Sequence, residues 1–159
     1  MMTSFLKLWL PLLLWASLIS IFSSDSFSSQ NTSPLILPFF EWLFPAATPE
    51  LINSFHSLIR KLGHFTEFFV LALLLYRALR GTRRPHWHGR VAGWTLAVVL
   101  LYSVADEVHQ RFVPSRSGAW ADSLLDFFGG CCAVGLLYAR HRTQAGPLTP
   151  VVVSDPYGN

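Results

Sequence analysis

Residues 91–110 read VAGWTLAVVLLYSVADEVHQ. From 91 to 105 no residue carries a charge at neutral pH; then the polar Asp106, Glu107, His109 and Gln110 arrive with no glycine or proline between them and the apolar run. Fifteen residues of α-helix cover about 22 Å, so with its polar end the segment reaches the roughly 30 Å of a bilayer's hydrocarbon core. A charged side chain in hydrocarbon costs about 2.5 to 3.5 kcal/mol on insertion scales, so such an end belongs near an interface or turned inward. The stretches 5–22, 65–79 and 120–138 are of the same kind. Together they predict an all-α membrane protein with four transmembrane helices.

Composition agrees. Of 159 residues, 52% are apolar and 13% charged, against about 25% charged in an ordinary soluble domain. The mean hydropathy is +0.39. Low charge and abundant aromatics exclude a disordered chain. The length allows one domain, 1–142, followed by a flexible cytoplasmic tail, 143–159, marked by Gly146, Pro147, Pro150 and Pro156. Basic residues are sorted by position: Lys7, Arg77, Arg80, Arg83, Arg84, Arg90, Arg140 and Arg142 on one side, Arg60, Lys61, Arg111 and Arg116 on the other. The richer side is expected in the cytoplasm with both termini. Asp25, Glu41, Glu50, Glu67, Asp106, Glu107, Asp122 and Asp126 all fall in the outer half. The net charge of +3 is thus a topology signal and gives no ground for a nucleic-acid partner. Cys131 and Cys132 are adjacent in an apolar run and read as buried free thiols.

The first stretch also fits a secretory signal peptide, with Lys7, an apolar core and a Ser-rich segment after it. Trp9, Pro11 and Trp15 inside the run, and the lack of a small-x-small cleavage site, weigh against cleavage. Residues 23–33 then read as a loop, and Pro34, Pro38 and Pro45 among Phe39, Phe40, Trp42 and Phe44 as an interfacial aromatic anchor. Thr48, Pro49 and Glu50 make a helix start. Leu51, Phe55, Leu58 and Leu62 repeat at helical spacing, predicting a short outer interfacial amphipathic helix that leads into the second span. His56, His86 and His88 read as solvated.

The ionisable groups of the spans fall in one layer. Lys61, His64 and Glu67 step by three on the second span. Asp106, Glu107, His109 and Gln110 end the third. Asp122 and Asp126 share a face of the fourth with Gly129 and Ala133, small enough to admit a neighbouring helix. Arg116 lies in the connection after Pro114. Aiming these faces at one another gives a polar pocket that opens toward the outer leaflet, while the inner halves stay apolar, unlike a transporter or channel.

In that pocket Lys61 and Arg116 are expected to hold a phosphate or carboxylate, with Glu107, Gln110, Asp122 and Asp126 as further candidates for contact with the ligand. His64 and His109, oriented by Glu67 and Asp106, are the candidates for proton transfer. No cofactor is assigned. A divalent metal stays open, Mg or Mn for oxygen-rich ligation and Zn for two imidazoles, although no His-x-x-x-His or spaced cysteine pair is present. Three readings remain: recognition of an anionic lipid-linked envelope component, a membrane-embedded lipid-modifying enzyme with or without metal, and a structural module whose buried ion pairs specify helix packing. Buried ion pairs contribute little net stability, which weighs against the last.

The run Arg60-Lys61-Leu62-Gly63-His64-Phe65-Thr66-Glu67-Phe68, the run from Asp106-Glu107-Val108-His109-Gln110 through Phe112, Pro114 and Arg116, and then Asp122, Asp126 and Gly129 resemble the VanZ-like family of small bacterial membrane proteins. The resemblance spans about 60 to 130, with the Ile21-Phe22-Ser23-Ser24 exit of the first span also similar. It implies a multi-pass protein of the bacterial cytoplasmic membrane with a role in the cell envelope. One member type is linked to low-level resistance to teicoplanin, so a glycopeptide joins membrane lipids among the implied partners. The resemblance carries no agreed catalytic residues.

Overall fold

The structure, a computed structural model, describes residues 2–82, 87–113 and 120–144. These form five α-helices and one 3-10 turn, and no strand occurs among the described residues. The helices are α1 (Met2–Phe22), α2 (Ser29–Leu43), α3 (Pro49–Arg80), α4 (Gly89–Arg111) and α5 (Trp120–Gln144), with the turn at Asp25–Phe27. Among the described residues three segments are long and apolar enough to cross a membrane: Phe5–Phe22 of α1, Gly89–Arg111 and Trp120–Gln144. The fourth apolar stretch, 65–79, is the second half of α3. Apolar side chains cover the outside of the bundle, with Leu101 71%, Leu124 68% and Phe128 58% exposed, as a surface bathed in lipid requires.

α3 touches every other long helix. It starts as its sequence dictates: the Thr48 hydroxyl accepts from the Leu51 N–H at 3.4 Å, Pro49 opens the first turn and Glu50 meets the positive end of the dipole. It ends with Arg77 and Arg80 in the last turn and Gly81 at φ 65°, a conformation that favours glycine. The stretch from Pro49 expected to be a separate amphipathic helix and the apolar stretch 65–79 are therefore one unbroken element of 32 residues, about 48 Å long.

α2 departs from the expected loop. The Ser28 hydroxyl accepts from the Asn31 N–H at 3.2 Å and starts a 15-residue helix that holds both Pro34 and Pro38. Each proline removes a backbone donor, but four residues apart the two gaps fall on one side of the helix.

The pair Gly129 and Gly130 seats α5 between α3 and α4. A Cβ on Gly129 would run into the Phe65 carbonyl oxygen, and one on Gly130 would lie 2.7 Å from Val99 Cγ1. At Gly129 the obstacle is rigid backbone, so the approach requires glycine; at Gly130 it is a valine methyl that would have to shift. α1 is hooked on by side chains: the Trp15 indole N–H donates to the Glu67 carbonyl at 2.9 Å, and the Tyr102 hydroxyl donates to the Ala16 carbonyl at 2.9 Å. Ile19 is fully buried beneath these contacts. At the far end of the bundle Tyr76 stacks on Trp87, centroids 5.7 Å apart, and Trp87 meets Tyr138 edge-on. Cys131 and Cys132 are free and half-buried. α5 runs two residues into the expected tail; 145–159 lie outside the described residues.

Candidate functional site

At the end of the bundle away from Tyr76 and Trp87, the polar residues of α3, α4 and α5 converge. α4 continues to Arg111, so Asp106, Glu107 and Gln110 sit on its inward face and are buried, 7%, 2% and 5% exposed. On α5, Asp126 is buried and Asp122 half-buried, on the face that Gly129 and Ala133 press against their neighbours. On α3, His64 and Glu67 are half-buried.

His64 and Asp126 face each other across α3 and α5, Nδ1 to Oδ1 at 3.5 Å. That contact does not make a hydrogen bond, and among the described residues neither atom has another partner although both are buried. Asp106 closes the group from α4: one donor atom each from His64, Asp106 and Asp126 lie within 4.8 Å of one another. Two ionised carboxylates 4.8 Å apart would repel by about 3 kcal/mol at an effective dielectric of 20, so the arrangement favours a proton or a cation between them. Asp106 is oriented by Gln110, whose amide donates to Oδ2 at 2.6 Å and reaches the Ser23 hydroxyl at 3.5 Å. Glu107 is matched by Arg111, Nε to Oε1 at 3.4 Å, and the same guanidinium lies 4.3 Å from the Trp120 ring centroid. That clamp joins the end of α4 to the start of α5.

Access comes from the side. A cavity of about 190 Å³ between α1 and α4 is lined by Ser20, Tyr102, Ala105, Asp106 and His109. His109 is exposed at its edge, and Asp106 takes its orienting bond from Gln110, four residues on.

Two expectations need correcting on α3. Lys61 is exposed, and the basic residue turned inward is its neighbour Arg60, half-buried, with Nη1 enclosed and unpartnered among the described residues. Asp122 is the carboxylate that acts on it. His56 is not solvated: it is 6% exposed, and its Nε2 likewise has no described partner. The reason is periodicity. The covered stripe of α3 runs in steps of four through Ile52, His56, Arg60, His64, Phe68 and Ala72, whereas Lys61, His64 and Glu67 wind away from it in steps of three. Continuing the apolar stripe backward from Phe68 would have found Arg60 and His56. Burial, and then the charge of Arg60, hold the His56 imidazole below its ordinary pKa. Arg116, His86, Arg83 and Arg84 lie outside the described residues.

The chain matches the model of one protein family, VanZ/LLP1, over residues 8–141, from α1 into the last turns of α5. Among curated proteins and among solved structures nothing matches.

Proposed function

The chain belongs to the VanZ/LLP1 family, and on that premise we propose that it is a four-span cell-envelope membrane protein whose polar layer recognises the anionic headgroup of a lipid or lipid-linked envelope component. Both termini lie in the cytoplasm in this reading, the second half of α3 is the fourth crossing, and the site faces the outer leaflet. The burial of Ile19 and the hydrogen bonds of Trp15 and Tyr102 support a first span that stays in the bundle.

One observation carries the reading: a cavity of about 190 Å³ beside α1 and α4 reaches Asp106, a member of the buried polar cluster. Its volume suits a headgroup fragment such as a phosphate. Arg60, one helical turn beyond His64, offers an enclosed donor with no described partner. A guanidinium is the side chain best matched to phosphate or carboxylate.

Native mass spectrometry of the full chain, extracted from membranes in mild detergent, tests this. The expected result is retention of an anionic lipid over phosphatidylethanolamine, lost at least tenfold in Arg60→Met and kept in Lys61→Gln. Equal retention of charged and zwitterionic lipids overturns it. A retained lipid that changes mass with time adds the enzymatic reading to the binding one. Deletion and restoration of the gene, scored by teicoplanin susceptibility, asks whether the envelope role extends to glycopeptides.

A further inference from the structure

From the way α3, α4 and α5 meet, we infer that His64, Asp106 and Asp126 form a binding site for a single divalent transition cation, of the Mn²⁺ or Zn²⁺ kind. The inference rests on the headgroup reading for the cation's purpose, and on these three residues alone for its existence.

Geometry comes first. Ligand atoms about 2.0 to 2.2 Å from a metal at near-tetrahedral angles lie about 3.4 Å apart. His64 Nδ1 and Asp126 Oδ1 are already separated by 3.5 Å, in a contact that is no hydrogen bond. Both atoms are enclosed, the Asp126 side chain being only 3% exposed, and among the described residues each faces only the other. The Asp106 donor comes within 4.8 Å of the other two, close enough for a bound ion to draw the three together.

Charge is the second argument. Around the cluster stand the carboxylates of Asp106, Asp126 and Glu67, all acting on the single imidazole of His64. Among the described residues, Arg111 is paired with Glu107 and Arg60 makes no ion pair with Asp106 or Asp126. A divalent ion supplies the missing positive charge where an anionic headgroup would otherwise meet bare carboxylates.

The surroundings supply the third. Gln110 holds Asp106 through Oδ2, an outer-shell bond of the kind that fixes ligand orientation in metal sites. One nitrogen and two oxygens suit Mn²⁺ or Zn²⁺ better than Ca²⁺, which wants six to eight oxygens. Three protein ligands leave positions for water or for a headgroup oxygen entering through the cavity at Asp106.

The test uses the purified full chain in detergent, stripped with EDTA and titrated with Mn²⁺ by electron paramagnetic resonance and with Zn²⁺ by elemental analysis after desalting. The expected result is one equivalent bound, a melting temperature raised by the metal, and affinity lowered at least tenfold in Asp126→Asn and in Gln110→Leu. Glu41→Gln, an exposed acid on α2, should bind as the parent chain does. No retained Mn²⁺ or Zn²⁺ in the parent chain overturns the inference whatever the variants do. So does binding that survives Asp126→Asn and His64→Ala together. Lipid retention is measured on the same samples. Metal without lipid leaves the cation site standing and removes the headgroup reading; lipid without metal does the reverse.

Discussion

Replacing Gly129 with alanine probes the contact on which the site's geometry depends. The added methyl meets the Phe65 carbonyl oxygen at once and lies 3.3 Å from its carbon and 3.4 Å from its Cα, all backbone atoms of α3. No rotamer change relieves that clash, so α5 must move away from α3 as a body. Overpacking costs about 1 to 3 kcal/mol, and a contact against rigid backbone belongs at the upper end. Alanine recovers up to about 1 kcal/mol in helix propensity, leaving a net loss of about 2 kcal/mol. For a chain of this size that is a fall in Tm of about 4 to 8 °C. Phe65 follows His64 directly, so the same movement draws His64 away from Asp126 and weakens any ligand they share. Tryptophan-detected melting in detergent reads the first effect and Mn²⁺ titration the second. Gly135→Ala is the control on the same helix: nothing lies within 4 Å of its added methyl, and its Tm should hold or rise. If Gly129→Ala melts as high as the parent chain, the close approach of α3 and α5 described above is wrong.

Two further outcomes are expected. His56 lies ahead of the apolar segment of α3 and is held below its ordinary pKa by burial and by Arg60, so the unfolded chain takes up a proton that the folded chain refuses. Its contribution to stability is whole above pH of about 6.5 and shrinks as pH falls below that value; melting of the parent chain and of His56→Gln between pH 7.5 and 5.5 should therefore show the parent losing more, and equal losses would contradict the burial. Trp15→Phe removes a 2.9 Å bond to the Glu67 carbonyl. That oxygen keeps its place in the α3 ladder, so no acceptor is orphaned and the cost should be about 1 kcal/mol or less, read as a small drop in Tm.

The apolar runs were legible because length and hydropathy act along a single segment. All four appear as helices, and the Thr48-Pro49-Glu50 start falls where its capping chemistry puts it. The continuation of α4 through Asp106 to Arg111 was legible too, since no breaker intervenes. α2 was not: two prolines and a serine-rich approach argue locally for a loop, and only the geometry of Ser28 and the paired gaps at Pro34 and Pro38 make a helix there. The site residues divide the same way. His64, Asp106 and Asp126 announce themselves as ionisable groups at the ends of apolar runs. Choosing Arg60 over Lys61 depends on which face of α3 the other helices cover, and that is decided by the glycine contacts of α5 and the hooks from α1.

The length of α3 has a mechanical consequence. In the proposed four-span arrangement its length of about 48 Å exceeds the hydrocarbon thickness by more than half, so either it leans steeply or its first turns stand among the headgroups. Those turns carry Leu51 and Phe55, which with Phe40 and Phe44 of the α2 region wall an apolar hollow of about 450 Å³. Whatever seats there grips one end of a stiff shaft whose other grip is His64, and with no loop between the two to absorb the strain, a tilt imposed at the rim arrives at the carboxylates as a displacement.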